Sequence, residues 1–322
     1  MGRNMVGKFD ITGIGNAIVD VIVNVEDKYL EDQDIRKGMM SLVDLKTIEN
    51  ISDTIEIKTT VSGGSVANSI VALAQNGMNT AFIGKVSNDE IGSKFIDGLK
   101  SENVTFACKA QSDDSKSGRC IVMVTPDAQR TMSTYLGISQ KLNSGDINQD
   151  VIKNSSITYL EGYLWDLDDA QVAIKHATDY AKSSGNLVAF SVSDVFCIER
   201  FRDSFRSMID SNVDIVFANK EEIKSLYEND NIEEITKILS QQERIYAITM
   251  GEEGALIIKG DETYKIEAQK IENLVDTTGA GDLFAAGFLE HFIKNESLES
   301  CGSRGVEMAS RVIQQYGARL KT

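Results

Sequence analysis

The sequence predicts an α/β protein: a mainly parallel sheet with helices on both faces, and a small β-sheet lid. Three observations lead there. Strand-like and helix-like segments alternate through most of the chain, the rhythm of repeated βα units. Two stretches, near 16–60 and 104–137, are strand-rich and lack helices of their own to cover them, which suits a small sheet projecting from the main one. The chain has 322 residues, 42% of them hydrophobic, enough for a large core and ordinary for a globular protein. We therefore expect a single domain over 1–322, with lid segments at about 16–60 and 104–137.

In chain order, 9–14 and 19–25 have the β-branched apolar pattern of strands. Residues 66–75 suit a helix, 80–83 a strand and 90–101 a helix. From residue 104 the texture changes: 104–108, 119–125 and 130–135 read as short strands, with a turn at Pro126-Asp127 before the last. After a strand at 157–160 the βα rhythm returns. Helix 170–183 precedes strand 187–191, and helix 198–209 precedes strand 214–218. Helices 220–227 and 232–240 precede strand 245–249, and 254–259 with 263–266 resemble a strand pair. The run from Leu283 to Ile293 suits an amphipathic helix.

Lys and Arg total 33 against 49 Asp and Glu, a formal charge of −16. Such a surface argues against nucleic acid or an anionic membrane as partner. No apolar run reaches the ~18–20 residues of a membrane helix, and no apolar stretch of a signal peptide follows the first basic residues. A cytoplasmic protein acting on a small molecule, as monomer or homodimer, is the expectation. Cys108, Cys120, Cys197 and Cys301 are scattered without a CxxC, which suits free thiols. With only His176 and His291, both in helix-like segments, neither a histidine-centred triad nor a His-rich metal site is expected.

The stretch Asp276-Thr-Thr-Gly-Ala-Gly-Asp282 is the most informative. Its glycines sit where a turn opens a helix, so free backbone N–H groups and the helix dipole favour an anion. Asp282 is a poor electrostatic neighbour for that anion. It makes sense as a base that removes a proton from the group attacking the anion, as in phosphoryl transfer. Gly15-Asn16-Ala-Ile-Val-Asp20 lies between the first two strands, and Ser62-Gly63-Gly64-Ser65-Val66-Ala67-Asn68 opens the first long helix. One carboxylate there accepts from two neighbouring hydroxyls, as in a furanose diol, and Asn68 donates and accepts. A turn aspartate and a glycine loop with no ligand fit the same residues. Gly13-Ile-Gly15 is not a dinucleotide fingerprint, since Ile18 holds the third glycine position, and no Walker A sequence is present.

Together these motifs resemble the ribokinase (PfkB) family of small-molecule kinases over nearly the whole chain, and GNAIVD, SGGSVAN, the 118–137 block and YLEGYLWD resemble its adenosine-kinase-like branch. The resemblance implies a three-layer ribokinase-like fold and a kinase using ATP and Mg2+. It makes Asp282 the base, with Gly279, Ala280 and Gly281 forming the anion hole. Asn16, Asp20, Gly63, Gly64 and Asn68 become the sugar-binding residues. Asn219-Lys-Glu-Glu222 resembles the element that orders magnesium through water, with Glu222 as the outer-shell carboxylate; a helix cap with surface glutamates fits the same residues. Asn219, Thr249, Gly251 and Gly254 resemble the nucleotide site. Asp276 and the Thr278 carbonyl resemble ligands of a monovalent cation, usually K+. Gly84-Lys85-Val86 with Asp89 and Gly92 resembles the stretch that follows in these kinases. Val66 and Ile70 depart from the smaller residues usual in the first motif, which bears on substrate fit. The expected acceptor is the 5′-hydroxyl of adenosine; a free sugar (ribose, fructose or a keto-sugar acid) is the alternative, and a sensor without turnover is the non-enzyme reading. Arg130, Tyr135, Tyr163 and Trp165 are candidates for the distal part of a substrate, and equally ordinary core or hairpin residues.

Overall fold

A computed structural model describes residues 8–112, 115–127 and 129–320. The expectation about a leader sequence in part concerns residues 1–7, outside the described residues. The chain runs β1 (Phe9–Ile14), β2 (Ile18–Asn24), α1 (Asp27–Asp32), β3 (Met40–Leu42), α2 (Leu45–Asp53), β4 (Thr59–Gly63), α3 (Ser65–Gln75), β5 (Thr80–Ile83), α4 (Glu90–Ser101) and β6 (Thr105–Phe106). It continues through β7 (Gly118–Val124), β8 (Arg130–Tyr135), α5 (Gln149–Lys153), β9 (Ser155–Glu161), α6 (Asp168–Ser183), β10 (Leu187–Ser191), α7 (Val195–Asn212) and β11 (Ile215–Asn219). The remainder is α8 (Lys220–Tyr227), α9 (Ile232–Leu239), β12 (Ile245–Thr249), β13 (Ala255–Lys259), β14 (Glu262–Ile266), α10 (Ala280–Ile293) and α11 (Leu298–Val312).

Among the described residues nine strands form the main sheet in the order β14-β13-β12-β11-β10-β9-β1-β5-β6, parallel from β12 to β6. Successive side chains of a strand point to opposite faces, and both faces here are apolar, as a sheet covered on both sides requires. Ala189 of β10 and Ile215 and Phe217 of β11 pack with α3, α10 and α11. Val188, Phe190, Val216 and Ala218 pack with α6 to α9. Among the described residues no helix is long and apolar enough to cross a membrane.

The second sheet has the order β3-β8-β7-β2-β4. Its parts differ from expectation at two places. Thr105–Phe106 does not join it but pairs with β5 at the edge of the main sheet. The 16–60 stretch is not bare of helices: Leu30 of α1 and Ile48 and Ile51 of α2 cover Val19, Val21 and Val23 of β2. Both helices are short, so their periodicity spans barely two turns. The reading from sequence also did not mark α11. Its interior Gly302 and Gly305 lower helix propensity, yet a Cβ on Gly305 would lie 2.8 Å from the Phe284 carbonyl oxygen. Close packing against α10 requires what local propensity disfavours.

Candidate active site

The parallel strands end along one edge, where Ile14, Glu161, Ser191, Asn219 and Thr249 close their ladders. Loops at this edge collect most of the residues singled out in the sequence, as ligand sites in such sheets do.

The turn at 276–279 opens α10 as expected. Gly279 caps the helix at φ +79, and a Cβ there would lie 2.6 Å from the Ala318 Cα. Ala280 N–H donates to the Thr277 carbonyl and Leu283 N–H to that of Gly279. The N–H groups of Gly281 and Asp282 meet no acceptor among the described residues. A Cβ on Gly281 would meet no atom within 4 Å. Two free donors thus border open space at the positive end of a 14-residue helix, a cradle that fits a phosphoryl group.

Asp282 sits on that first turn, tied to α3: its Oδ1 accepts from Ser65 Oγ at 2.6 Å and its Oδ2 from Asn68 Nδ2 at 3.0 Å. Ser69 Oγ donates to its carbonyl at 2.8 Å. Burial pushes its carboxyl up to about 6, against the lowering pull of Ser65, Asn68 and Arg319. Asp20 comes from the small sheet, and burial likewise lifts it to about 6, opposed by Arg319 and Arg130. Gly63 admits that carboxylate: a Cβ there would stand 2.5 Å from Asp20 Oδ2. Gly64 caps α3 at φ +102.

Asn16 is differently placed. It is 3% exposed, its N–H and Nδ2 both donate to Glu161 Oε1, at 2.7 and 3.0 Å, and its Oδ1 accepts from Ser139 Oγ. Glu161 Oε2 accepts from Val66 N–H at 3.0 Å, so this carboxylate joins the β1–β2 loop to the start of α3. Burial raises it to about 7. Sequence reasoning missed Glu161; the Leu160-Glu161-Gly162 context at a strand end was its only signal.

At the far side of the edge, Asn219 and Glu222 form a reciprocal capping box: Asn219 Oδ1 accepts from Glu222 N–H, and Glu222 Oε2 from Asn219 N–H, both at 2.8 Å. The cap is real, but Glu222 is 8% exposed rather than a surface glutamate, and burial raises it to about 7. Both its oxygens are held by Asn219, which suits a carboxylate acting through water. Among the described residues no group of three or more His, Cys, Asp or Glu could hold a metal. Magnesium held by phosphates and water fits that donor set. Thr249 ends β12, and Gly251 and Gly254 form the turn to β13, Gly254 at φ +91.

Of the candidates for the distal part of a substrate, several take the core or hairpin roles equally expected of them. Arg130 does not reach outward toward a distal group: its Nη1 pairs with Asp276 Oδ2 at 2.5 Å. Asp276 also accepts from Thr278 N–H and Oγ1 and from Gly317 N–H, so the proposed cation ligand has a guanidinium partner within the chain. Trp165 is 5% exposed, packs on Phe190 and Phe205 and donates to Ser204 Oγ; it is core, not a substrate wall. Tyr163 turns its hydroxyl to the Ser193 carbonyl. Lys85 pairs with Asp146, and Asp89 caps α4 through Gly92 N–H. Tyr135 is half-buried in β8.

Residues 41–322 match the pfkB family carbohydrate kinase. The chain belongs to the PfkB family. A probable sugar kinase from Rhizobium etli superposes with a TM-score of 0.89 at 39% identity, covering 98% of this chain and 96% of that one. An adenosine kinase from Sinorhizobium meliloti gives 0.89 at 38% identity, covering 98% and 97%. An uncharacterized sugar kinase from Archaeoglobus fulgidus is 28% identical over 77% of this chain and 97% of its own length. The expected adenosine-kinase-like branch and ribokinase-like fold are borne out. As a PfkB kinase the chain is a phosphotransferase acting on a hydroxyl group.

Proposed function

We propose that this kinase transfers the γ-phosphoryl group of ATP, with Mg2+, to the 5′-hydroxyl of adenosine. One observation carries the choice of acceptor. The face of the small sheet that bears Asp20 also bears Ile18, Ile22, Cys120, Val122, Val124 and Met132, a compact apolar patch separate from both cores. A nucleoside presents a diol and, beyond it, an apolar base; a carboxylate set in an apolar wall matches that order. The wall is aliphatic, so it favours a purine by burial rather than by stacking.

In this reading Asp20 accepts from the ribose hydroxyls. Asp282, oriented by Ser65 and Asn68, takes the proton of the attacking hydroxyl. The N–H groups of Gly281 and Asp282 bind the transferring phosphoryl oxygens, where preorganised donors are worth most. The turn at Thr249–Gly254 and the capped Asn219 lie on the nucleotide side, and magnesium supplies charge neutralisation of the phosphates. A sensor would have no use for a raised, oriented carboxylate beside an anion cradle.

The test is competition among adenosine, ribose, fructose and 2-keto-3-deoxygluconate at equal concentration, with ATP and magnesium in excess. A base burying roughly 150 Å² at ~25 cal/mol per Å² adds about 4 kcal/mol, so adenosine should exceed ribose in kcat/KM by about 10³-fold. Preferential phosphorylation of a free sugar would sink the adenosine assignment and leave the kinase standing.

A further inference from the structure

The segment after α11 packs against Gly279 at the start of α10 and reaches the Asn68 that holds Asp282. Gly317 N–H donates to Asp276 Oδ2 at 2.9 Å, and Ala318 packs on Gly279. Arg319 then enters the space between α3 and β4: its Nε donates to Asn68 Oδ1 at 3.2 Å and its Nη1 to Ser62 Oγ at 3.0 Å. Among the described residues its Nη2 is buried without a partner. A guanidinium is costly to bury, and more so with a donor unsatisfied. The Arg319 charge faces the buried carboxylates of Asp20 and Asp282.

Asn68 explains what the guanidinium does. An amide presents one acceptor end and one donor end. Arg319 takes the acceptor end, which leaves Nδ2 directed to Asp282 Oδ2. Without Arg319 the amide is free to turn over and set an oxygen against the carboxylate. Charge acts in the same direction. Asp282 is faced by Ser65 and Asn68 from α3, and Asp20, Glu161, Tyr159 and Tyr163 also lie within electrostatic reach. Of these groups Asp20 and Glu161 are acidic, and Arg319 is the cation acting on Asp282.

We propose that Arg319 is a positioning residue for the transfer reaction: through Asn68 it fixes the hydrogen bonding of Asp282, and the Gly317–Arg319 segment couples that alignment to the anion cradle. The proposal rests on the kinase reading for its rate consequences, but its alignment step is measurable without turnover.

The experiment compares wild type, Arg319→Gln and Arg319→Lys in the full chain. Arg319→Gln should lower kcat with adenosine about 10- to 100-fold, as loss of an aligned hydrogen bond does, while KM for ATP stays within about twofold. The 13C titration of the Asp282 carboxyl, assigned by its absence in Asp282→Asn, should move to higher pH, because a neighbouring cation is lost. Losses from Arg319→Gln and Asn68→Ala should not add, since one acts through the other. Arg319→Lys keeps the charge but not the planar fork; its midpoint should stay near wild type while kcat falls. Unchanged kcat and an unchanged titration midpoint in folded Arg319→Gln would overturn the proposal. If Arg319→Gln does not fold, wild-type kcat in Arg319→Lys would overturn it. If wild type transfers phosphate to no acceptor the kinase reading fails separately, and the carboxyl titration still decides the role of Arg319.

Discussion

As the proposed base, Asp282 would join two demands that conflict in water: to be ionised so that it can accept a proton, and basic enough to do so near neutral pH. Burial resolves this by lifting its carboxyl to about 6, while Ser65 and Asn68 keep the ionised form within reach. Asp282→Asn should lower kcat about 10²–10⁴-fold with little change in KM for ATP. The acid limb of wild-type kcat/KM should fall near pH 6. Stability should move oppositely. A carboxyl raised in the folded state favours folding at pH values below its ordinary one, and that advantage is lost as pH rises through about 6. Asp282→Asn should therefore raise Tm by roughly a few degrees at pH 8 and barely change it at pH 4; a lower Tm at pH 8 would contradict the burial of that charge. At this scale the sequence was legible where chemistry is local. Asp282 and its glycines share one turn, and Gly63 and Asn68 share one loop and helix. Glu161 and Arg319 reach the site from distant parts of the chain, with no spacing to mark them. Trp165 was open between a substrate contact and core; its ring turns into the core, a choice that neighbourhood in sequence could not make.

The anion cradle belongs to a helix and its approach, and its two glycines serve different ends. Gly279 needs its left-handed backbone and its contact with Ala318, so Gly279→Ala should lower stability as well as activity. Gly281 has open space beside its Cα, so Gly281→Val should fold with near wild-type Tm yet lose about 10²–10³-fold in kcat. Wild-type turnover in Gly281→Val would remove the cradle from the mechanism. Elements whose residues are locally consistent were readable: β8, β10, β12, α4 and α8 begin and end where the pattern puts them. Those set by tertiary contact were not. β6 is two residues long and takes its place from β5, and α11 carries glycines that only its packing on α10 explains.

Across the whole molecule, Arg130 and Asp276 join the small sheet to the loop that opens α10. The pair is nearly buried, with side chains 11% and 6% exposed. Removing one partner of a buried pair is costly, about 3–5 kcal/mol. Arg130→Ala should raise amide hydrogen exchange in β7 and β8 and lower kcat/KM, with less change in the core strands β9 to β11. Uniform exchange across both sheets would contradict a lid held by this contact. The acidic balance of the chain, −16, also bears on the proposed site: a phosphate there would be held against an unfavourable overall field, so the local N–H donors must carry that task.

In the proposed reaction Asp282 and the cradle at Gly281 pass a phosphoryl group to a primary hydroxyl. 31P NMR of the product formed from ATP, magnesium and adenosine tests it most directly. A phosphate on a CH2–O oxygen couples to two protons and gives a triplet; this signal is expected from the wild type and should be absent with Asp282→Asn on the same timescale. A doublet from a secondary position, or inorganic phosphate as the sole product, would contradict it.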